Sequence, residues 1–363
     1  MATNDIRVPL EQADGSFLEK LIPYPFGGAD VSVSASSGNR LVNENFLVDQ
    51  EFGSASQTLR SDNTYVFDQW VLLHNVSGSD RPTTQRFNSS NTPSGYGRIT
   101  TATSTSIQLG LCQPIEFLHC GDLRDQTVTF SAKVRTNLTG LVARIAVLQF
   151  GGTADAFSTS RDVVGTWANP ISNWATNITL AGSQASTTLT SSSSFTSLSA
   201  TVTLNSSFNN LAVLIYTSPI TTSGTTFDVA ACQLELGSTA STFQFKKYQD
   251  TLSECQRYFR KSYEANTVPG TTTTAGEVRY IATGTGGEAA PYLSYTQALF
   301  ASPSLTIYSP NTGASGNIRN YSTSADVAAT SFILVSKVSH MGISVSHTSG
   351  QLYGYHYTAS ARL

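Results

Sequence analysis

Charged side chains are scarce in this chain of 363 residues. Asp, Glu, Lys and Arg together make up 12% of it, and the formal net charge is −3. A nucleic-acid-binding surface needs a concentration of Lys and Arg, because binding is driven largely by the release of counterions from the phosphates. The composition therefore excludes nucleic acid as an expected partner. Helix-forming residues such as Glu, Lys and Met are also few, with only two Met in the chain.

Long hydrophobic runs are absent as well. No run approaches the ~18 apolar residues of a membrane span. The first residues, MATNDIRVPLEQADG, carry polar and charged side chains where a secretory signal would have its apolar segment. We therefore expect no membrane insertion. We expect the chain to be made in the cytosol and either to stay there or to leave as part of an assembly.

Cysteine and histidine do not form a zinc pattern. The chain has four Cys (Cys112, Cys120, Cys232 and Cys255) and five His, and no two Cys have the CxxC spacing. Cys232 falls in an apolar run and is expected in a hydrophobic core. Because a cytosolic environment keeps thiols reduced, we predict free structural cysteines rather than disulfides.

The residues that are abundant favour β-structure. Ser, Thr, Gly and Asn dominate the polar positions, with 15 Tyr and 18 Phe beside them. The segment 126–135 alternates polar and apolar side chains, as a half-buried strand does, and 141–150 is continuously apolar, as a central strand is. Strands are also predicted at 197–204, 211–218 and 227–236, separated by turns rich in Asn and Gly. We predict an all-β fold, a jelly-roll β-sandwich over residues 41–247.

Three further regions complete the predicted organisation. Residues 1–40 lack a sustained apolar period, which fits either a flexible tail or a segment that attaches to a larger particle. Residues 248–265 place apolar and aromatic side chains at helical spacing, with acidic residues early and basic residues late, and predict a short docking α-helix. Residues 266–363 contain several strand patterns and predict a small C-terminal β-domain. Contacts between subunits of an oligomer would complete the core of this domain.

Four sequence islands resemble, in order, a broad group of bacteriophage tail-fibre and head-fibre proteins. They are NRLVNENFLVDQEF with YVFDQWVL, then IEFLHCGDLRDQTVTFSAKVR, then VAACQLELGSTASTFQFKKYQDTLSECQRYF, and last RYIATGTGG to LFASPSLTIYSPNTG. Two positions depart from the group: Glu44 stands where Gly is frequent, and Phe195 replaces a usual Trp. The resemblance implies a virion structural protein with a jelly roll like that of carbohydrate-binding modules, a homotrimer near the host surface.

A structural calcium ion is also implied by this resemblance. Jelly rolls of the carbohydrate-binding type hold Ca²⁺ through oxygen ligands between the first strand and a late Asp. The candidate ligands here are Glu44 or Asn45 with Asp228. The alternative, which we favour, is that Asp228 caps a strand or turn, so that no cofactor is required.

Candidate glycan contacts are aromatic, because sugar rings stack on aromatic faces. Trp167 and Trp174 lie in GTWANPISNWATN, which has the composition of a loop, and packing on a neighbouring subunit explains them equally well. Tyr353, Tyr355 and Tyr357 alternate along YGYHY and so share one strand face. That face would bind a receptor glycan or, as we prefer, form a trimer interface. Trp70 lies in an apolar run and is expected in the core.

Catalysis is not predicted. Glu44, Asp49 and Glu51 offer paired carboxylates for glycoside cleavage, but solvated carboxylates are ordinary beside a turn. No GxSxG, HExxH or P-loop motif occurs.

The predicted function is therefore that of a non-enzymatic phage virion protein. It would be a tail-fibre or appendage subunit located in the virion, with residues 1–40 docking on other tail or capsid proteins and with a role in adsorption to a host-surface glycan. A head-fibre or capsid decoration protein is one alternative, and a virion-associated glycan hydrolase is the other.

Overall fold

The structure is a computed structural model that describes residues 6–11, 17–22, 38–88, 95–157, 161–289, 293–329, 331–336 and 339–363. The chain divides into two compact units, Met1–Ser37 and Gly38–Leu363. In the first unit, strands β1 (Ile6–Glu11) and β2 (Phe17–Ile22) pair antiparallel as a hairpin. The prediction that residues 1–40 attach to a particle concerns mainly residues outside those described.

The second unit begins with a two-sheet β-sandwich. Its strands are β3 (Thr64–Phe67), β4 (Trp70–His74), β5 (Thr83–Asn88), β6 (Gly95–Thr100), β7 (Leu109–Ile115), β8 (Thr127–Thr136), β9 (Val142–Phe150), β10 (Val164–Thr166), β11 (Asn173–Trp174), β12 (Ile178–Leu180), β13 (Ala185–Thr188), β14 (Thr196–Thr203), β15 (Asn210–Thr217) and β16 (Thr226–Leu236). A four-residue helix α1 (Phe117–Cys120) and 3₁₀ turns at Gly78–Asp80 and Gly121–Leu123 lie between strands.

Two sheets of this unit face each other. A seven-stranded sheet has the order β12-β9-β15-β7-β4-β3, with β13 also paired to β9, and a five-stranded sheet has the order β14-β8-β16-β6-β5. The alternating side chains of β8 and β14 point their apolar members, such as Phe130 and Leu198, into the space between the sheets. Trp70 is fully buried there, as predicted, and its indole N–H donates to the Asn43 carbonyl at 3.1 Å.

The seven-stranded sheet is buried on both faces. Its outer side chains, Leu148 and Leu214 among them, pack under Phe157, Val163 and Ile171, which belong to the segment after β9. A sheet covered on both faces has no polar side to alternate with. This explains why β9 and β15 read as continuous apolar runs. We call residues 161–180, which include β10 and β11, the cover segment.

Helix α2 (Tyr248–Gln256) follows the sandwich and is shorter than predicted. Residues 259–261, expected in its second half, instead form β17 (Phe259–Lys261), which pairs with residues 358–360. The helical spacing of the aromatic residues was real, but the strand pairing supplies backbone hydrogen bonds that a frayed helix end lacks. Cys255 and Tyr258 still pack together, with Val42 and Val48 of the sandwich.

The C-terminal region is also β-structure. Its strands are β18 (Val278–Ile281), β19 (Gly286–Ala289), β20 (Leu293–Ser294), β21 (Ser304–Tyr308), β22 (Asn317–Asn320), β23 (Ala325–Ala328), β24 (Ser331–Ser336), β25 (His340–His347) and β26 (Leu352–Ser360). Strand β26 is the centre of one sheet and pairs with β17, β18, β21 and β22. Strand β25 is the centre of the other and pairs with β19, β20 and β24.

The last residues of β26 and beyond return to the sandwich. Arg362 lies under the rings of Tyr65 and Phe259, and its guanidinium reaches Glu51 at 2.6 Å and Asp68 at 3.8 Å. The Leu363 carbonyl accepts a hydrogen bond from the Tyr65 hydroxyl at 2.9 Å. Residues 361–363 therefore link the C-terminal β-structure to the sandwich.

The predicted class is confirmed: the chain is all-β, with a sandwich, a short helix and C-terminal β-structure in that order. All four cysteines are buried and free, as predicted. In the described part of the chain, no helix is long and apolar enough to cross a bilayer.

Candidate functional site

The outer face of the five-stranded sheet is the best candidate for a binding site. In strands β6, β8 and β14, every second side chain points away from the core, and these outward side chains are mainly polar or aromatic. We call this surface the open face. Its members are Phe87 of β5, Tyr96 and Arg98 of β6, Asp228, Ala230 and Glu235 of β16, Ser131, Lys133 and Arg135 of β8, and Ser197 and Ser199 of β14.

Aromatic rings and guanidinium groups form a stacked array at one end of the open face. The Phe87 and Tyr96 rings are nearly parallel, with centroids 5.2 Å apart. The Arg98 guanidinium lies 4.8 Å from the Phe87 centroid, and that of Arg135 lies 4.4 Å from the centroid of Phe195. Such stacking fixes the planes of the rings at the surface, where isolated aromatic side chains would be mobile.

Asp228 holds this array together. It lies between Arg98 and Arg135 in the strand register, and its carboxylate is only 1% exposed. Arg98 donates to it at 2.7 and 2.9 Å, and Arg135 donates at 2.9 and 2.5 Å. A buried carboxylate needs such charge-assisted partners to offset its loss of water. Through the two arginines, Asp228 positions the aromatic rings.

A groove of about 280 Å³ lies beside the array on the open face. Its lining includes Ser131, Lys133, Ser197, Ser199, Ser241 and Phe243. Small residues flank Lys133 on both neighbouring strands: Ala230 is opposite it on β16, and Ser197 is opposite it on β14. Their short side chains leave the space that forms the groove. Next to Ala230 the strand bulges, and Ala231, with a φ of 48°, also lines the groove.

One wall of the groove is formed by residues 237–243, which fold back over the sheet. Glu235 is 5% exposed and its carboxylate accepts from the Ser241 backbone N–H at 2.8 Å and from the Ser241 hydroxyl at 2.7 Å. The Phe243 ring, half-buried, packs edge-on against Phe245 at 5.0 Å. These contacts place an aromatic ring beside a floor of hydroxyl groups. This combination suits a ligand with both apolar faces and many hydroxyls.

The structure does not bring the predicted calcium ligands together. Both Asp228 oxygens are occupied by guanidinium groups, and the Glu44 carboxylate is fully buried with the Lys246 ammonium 3.6 Å away. Burial raises the pKa of Glu44. Glu44 and its buried neighbour Asn45 lie beside Cys232. Cys232 is four residues along β16 from Asp228, a distance of roughly 13 Å along an extended strand. Among the described residues, no three His, Cys, Asp or Glu side chains form a group that could hold a metal.

The two tryptophans predicted to contact glycan belong to the cover segment. Trp167 and Trp174 are partly buried and pack on the apolar cluster outside the seven-stranded sheet. They pack over the seven-stranded sheet, whereas the open face belongs to the five-stranded sheet. The two rings lie in a loop-like segment because they cover apolar strands of their own chain.

The alternating tyrosines near the end of the chain do share one face, but that face is internal. Tyr353 and Tyr355 are 1% and 0% exposed, and Tyr357 packs beside them partly buried. They were expected at a glycan surface or a trimer interface, and they instead form the core of the C-terminal β-structure. The reason is that other buried residues of the C-terminal region, Tyr280 and Ile343 among them, belong to the same cluster and cover this face.

The carboxylates weighed for catalysis have structural partners. Asp49 accepts from the backbone N–H groups of Phe52 and Ser54 at 3.0 Å each, and Glu51 pairs with Arg362. Burial, and then the nearby charge of Asp68, raises the pKa of Asp49 to about 6. These carboxylates lie at the junction with the C-terminal region, away from the groove residues.

Sequence reasoning missed most of the open face. Arg98 and Arg135 are 130 and 93 residues from Asp228, so no local pattern connects them. One signal was present: the outward positions of β8 read Ser131, Lys133 and Arg135, and the opposite positions of β14 read Ser197 and Ser199. The alternation assigned these side chains to the solvent side without indicating a groove.

No protein-family model matches the chain, and no curated protein matches it. Among solved structures, the enzymatically active domain of bacteriophage CBA120 tailspike protein 4 aligns with 55% of this chain and 21% of its own, at 9% identity and a TM-score of 0.33. TmCBM61 in complex with beta-1,4-galactotriose aligns with 55% of this chain and 100% of its own, at 10% identity and a TM-score of 0.33.

The CBM22-1–GH10 modules of Clostridium thermocellum endo-1,4-beta-D-xylanase 10B, complexed with xylohexaose, align with 54% of this chain and 30% of their own. The identity is 14% and the TM-score is 0.30. Likenesses of this size do not bear on what the chain does. The phage-fibre resemblance of the sequence stays a prediction.

Proposed function

We propose that the chain is a non-enzymatic, glycan-binding structural protein and that it holds its ligand in the groove of the open face. One observation carries this proposal. The groove combines an aromatic ring, Phe243, with a floor of serine hydroxyls on the outer face of the five-stranded sheet. Carbohydrate sites use this combination, because sugar rings have apolar faces and their edges carry hydroxyl groups.

The open face favours binding over catalysis. Glycoside cleavage needs two carboxyl groups on either side of the reacting bond. The two acidic residues of the open face, Asp228 and Glu235, are buried and hold protein partners. Neither is disposed to act on a bound sugar.

The virion role rests on the sequence. The four ordered islands resemble phage tail-fibre and head-fibre proteins, and a surface glycan is the target that such a protein would need for host adsorption. We propose an appendage subunit of a phage particle that assembles in the host cytoplasm as a homotrimer. The location at which residues 1–40 dock would distinguish the two roles: docking on the tail would indicate a tail fibre, and docking on the capsid would indicate a head fibre.

A blocking substitution tests the glycan site directly. Ser197→Trp places a bulky ring at an exposed strand position that lines the groove, where it should fill the groove without disturbing the core. We expect glycan-array binding of the purified chain to fall by at least about tenfold, which corresponds to a loss of roughly 1.4 kcal/mol. Thr203→Trp is the matched control, since Thr203 is exposed on the same face of the same strand, roughly 20 Å away.

Equal binding by both variants would place the glycan site elsewhere, and absence of binding by the unmodified chain would overturn the function. Release of reducing sugar from a bound polysaccharide would instead support the hydrolase alternative. The mass of the chain in solution tests the homotrimer separately.

A further inference from the structure

The groove contains a cation without a counter-charge. Lys133 is exposed on β8 and lines the groove, and its neighbours across the sheet are Ala230 and Ser197. Neither can neutralise an ammonium group. Among the residues that the structure describes, the Lys133 side chain has no hydrogen-bond or ion-pair partner.

The acidic groups of the open face are already engaged. Asp228 lies two residues along β16 from Ala230, the residue opposite Lys133. Its carboxylate is shared by Arg98 and Arg135. Glu235 accepts from Ser241 and from the Gln233 side-chain amide at 2.8 Å. Neither carboxylate is available to turn toward Lys133 without breaking charge-assisted hydrogen bonds.

The open face therefore carries a net positive charge, although the chain as a whole is negatively charged. Three cations, Arg98, Lys133 and Arg135, share it with two carboxylates, whereas the whole chain has a formal net charge of −3. A general basic character does not account for this placement. Positive charge in a concave surface raises the local concentration of anions, and its effect is strongest where low-dielectric walls limit screening.

We infer that the groove binds an anionic glycan and that the Lys133 ammonium holds the anionic substituent of the sugar. This inference rests on the proposed glycan-binding function and specifies the class of its ligand. The substituent is a carboxylate or a sulfate, the groups that pair with an ammonium through charge-assisted hydrogen bonds. The serine hydroxyls beside Lys133 hold the neutral part of the sugar, and Phe243 supplies an apolar wall.

The test compares charged and uncharged forms of the same polymers. Polygalacturonate with its methyl ester isolates a carboxylate, and dextran sulfate with dextran isolates a sulfate. A glycan array with neutral and acidic members extends the comparison. We expect the chain to bind acidic members and to bind a charged polymer at least about tenfold more tightly than its neutral form, the size of one hydrogen bond to a charged group.

Variants of Lys133 assign the effect to this residue. Lys133→Ala should reduce binding to the charged polymer to the level of the neutral form, Lys133→Glu should reduce it further, and Lys133→Arg should restore it. Lys247→Ala is the matched control, because Lys247 is an exposed lysine that does not line the groove. Raising the salt concentration from about 0.1 M to about 1 M, which shortens the screening length from ~10 Å to ~3 Å, should weaken the unmodified chain more than Lys133→Ala.

The outcomes separate the two proposals. Binding restricted to neutral glycans, or equal binding by Lys133→Ala, overturns the anionic specificity and leaves the glycan function in place. Failure to bind any glycan, charged or neutral, overturns both. Loss of binding by Lys133→Ala and Lys247→Ala alike points to general electrostatic attraction and also overturns a site at Lys133.

Discussion

At the scale of single residues, Asp228 is expected to contribute strongly to stability. It is buried between two guanidinium groups, and removing its charge would leave Arg98 and Arg135 without their shared partner. Breaking a buried ion pair from one side costs ~3–5 kcal/mol, and the partial exposure of both arginines lowers this figure. We expect Asp228→Asn to reduce the free energy of unfolding by about 2–3 kcal/mol, as measured by chemical denaturation.

The control for this prediction is an ion pair of similar geometry at the surface. Asp122 pairs with Arg40 at 2.7 Å, and its side chain is 58% exposed. Surface pairs contribute ~0–1 kcal/mol, so Asp122→Asn should change stability by less than about 1 kcal/mol. Similar losses for the two variants would contradict the role assigned to Asp228.

Asp49 predicts a pH dependence of stability. Burial and the charge of Asp68 raise its pKa from 3.8 to about 6, so the folded chain favours the protonated form more than the unfolded chain does. Stability from this residue is then fully present below pH 3.8 and is lost as the pH rises through about 6. The loss is roughly 2–3 kcal/mol at most, at ~1.4 kcal/mol for each pKa unit.

The measurement is the free energy of unfolding of the unmodified chain and of Asp49→Asn across this pH range. The asparagine cannot titrate, so the unmodified chain should lose stability relative to the variant as the pH rises. Glu44 and Asp68 also have raised pKa values and contribute to both curves, which is why the difference is the informative quantity. Parallel curves would rule out the proposed titration of Asp49.

At the scale of secondary-structure elements, the cover segment distinguishes packing from ligand contact. Trp174 packs on the apolar cluster outside the seven-stranded sheet and is only partly buried. Replacing a fully buried Trp by Ala costs ~3–5 kcal/mol, so a partly buried one should cost about 1–3 kcal/mol. We expect Trp174→Ala to lower stability by this amount and to leave glycan binding unchanged, as checked by denaturation and by the glycan array.

Leu118 provides the control, because it is apolar but 72% exposed. Leu118→Ala should change stability by no more than about 0.5 kcal/mol. If Trp174→Ala lost glycan binding at unchanged stability, Trp174 would be a ligand contact, as the sequence alone suggested.

The central strands of the sandwich could be predicted because their side-chain patterns are local. The segments predicted at 126–135, 197–204 and 227–236 match β8, β14 and β16 within one or two residues. The helix prediction was too long because residues 259–261 gain strand partners near the end of the chain, about 100 residues later. Local periodicity carries no information on such a partner.

At the scale of the whole molecule, Arg362 connects the C-terminal β-structure to the sandwich. Its side chain is 7% exposed, between Glu51 and the buried Asp68. Arg362→Ala would leave Asp68 without its nearest cation, at a cost of about 3–5 kcal/mol. We expect differential scanning calorimetry to show one cooperative transition for the unmodified chain and two separate transitions for the variant.

Arg81→Ala is a suitable control, since Arg81 is partly exposed and, among the described residues, forms no ion pair with Glu51 or Asp68. It should keep a single transition at nearly the same temperature. A single transition for Arg362→Ala as well would show that the two regions are coupled mainly through other contacts, such as those of Tyr258 and Cys255.

The candidate site was much less predictable than the fold. A groove exists only when strands distant in sequence are adjacent, as Lys133 is to Ser197 and Ala230. The sequence instead drew attention to Trp167, Trp174 and the alternating tyrosines, whose aromatic character serves packing in this fold. Aromatic composition alone does not separate a covered sheet from a binding surface.

The covering of the seven-stranded sheet also gives the sandwich a front and a back. If the groove is the binding site, recognition is restricted to one side, and copies that associate through their covered sides would all present their grooves outward. Attachment would then increase with the number of copies that reach the same surface, because each further engagement is intramolecular once the first has formed. A weak single site on a one-sided module is sufficient for firm adhesion when many modules are displayed together.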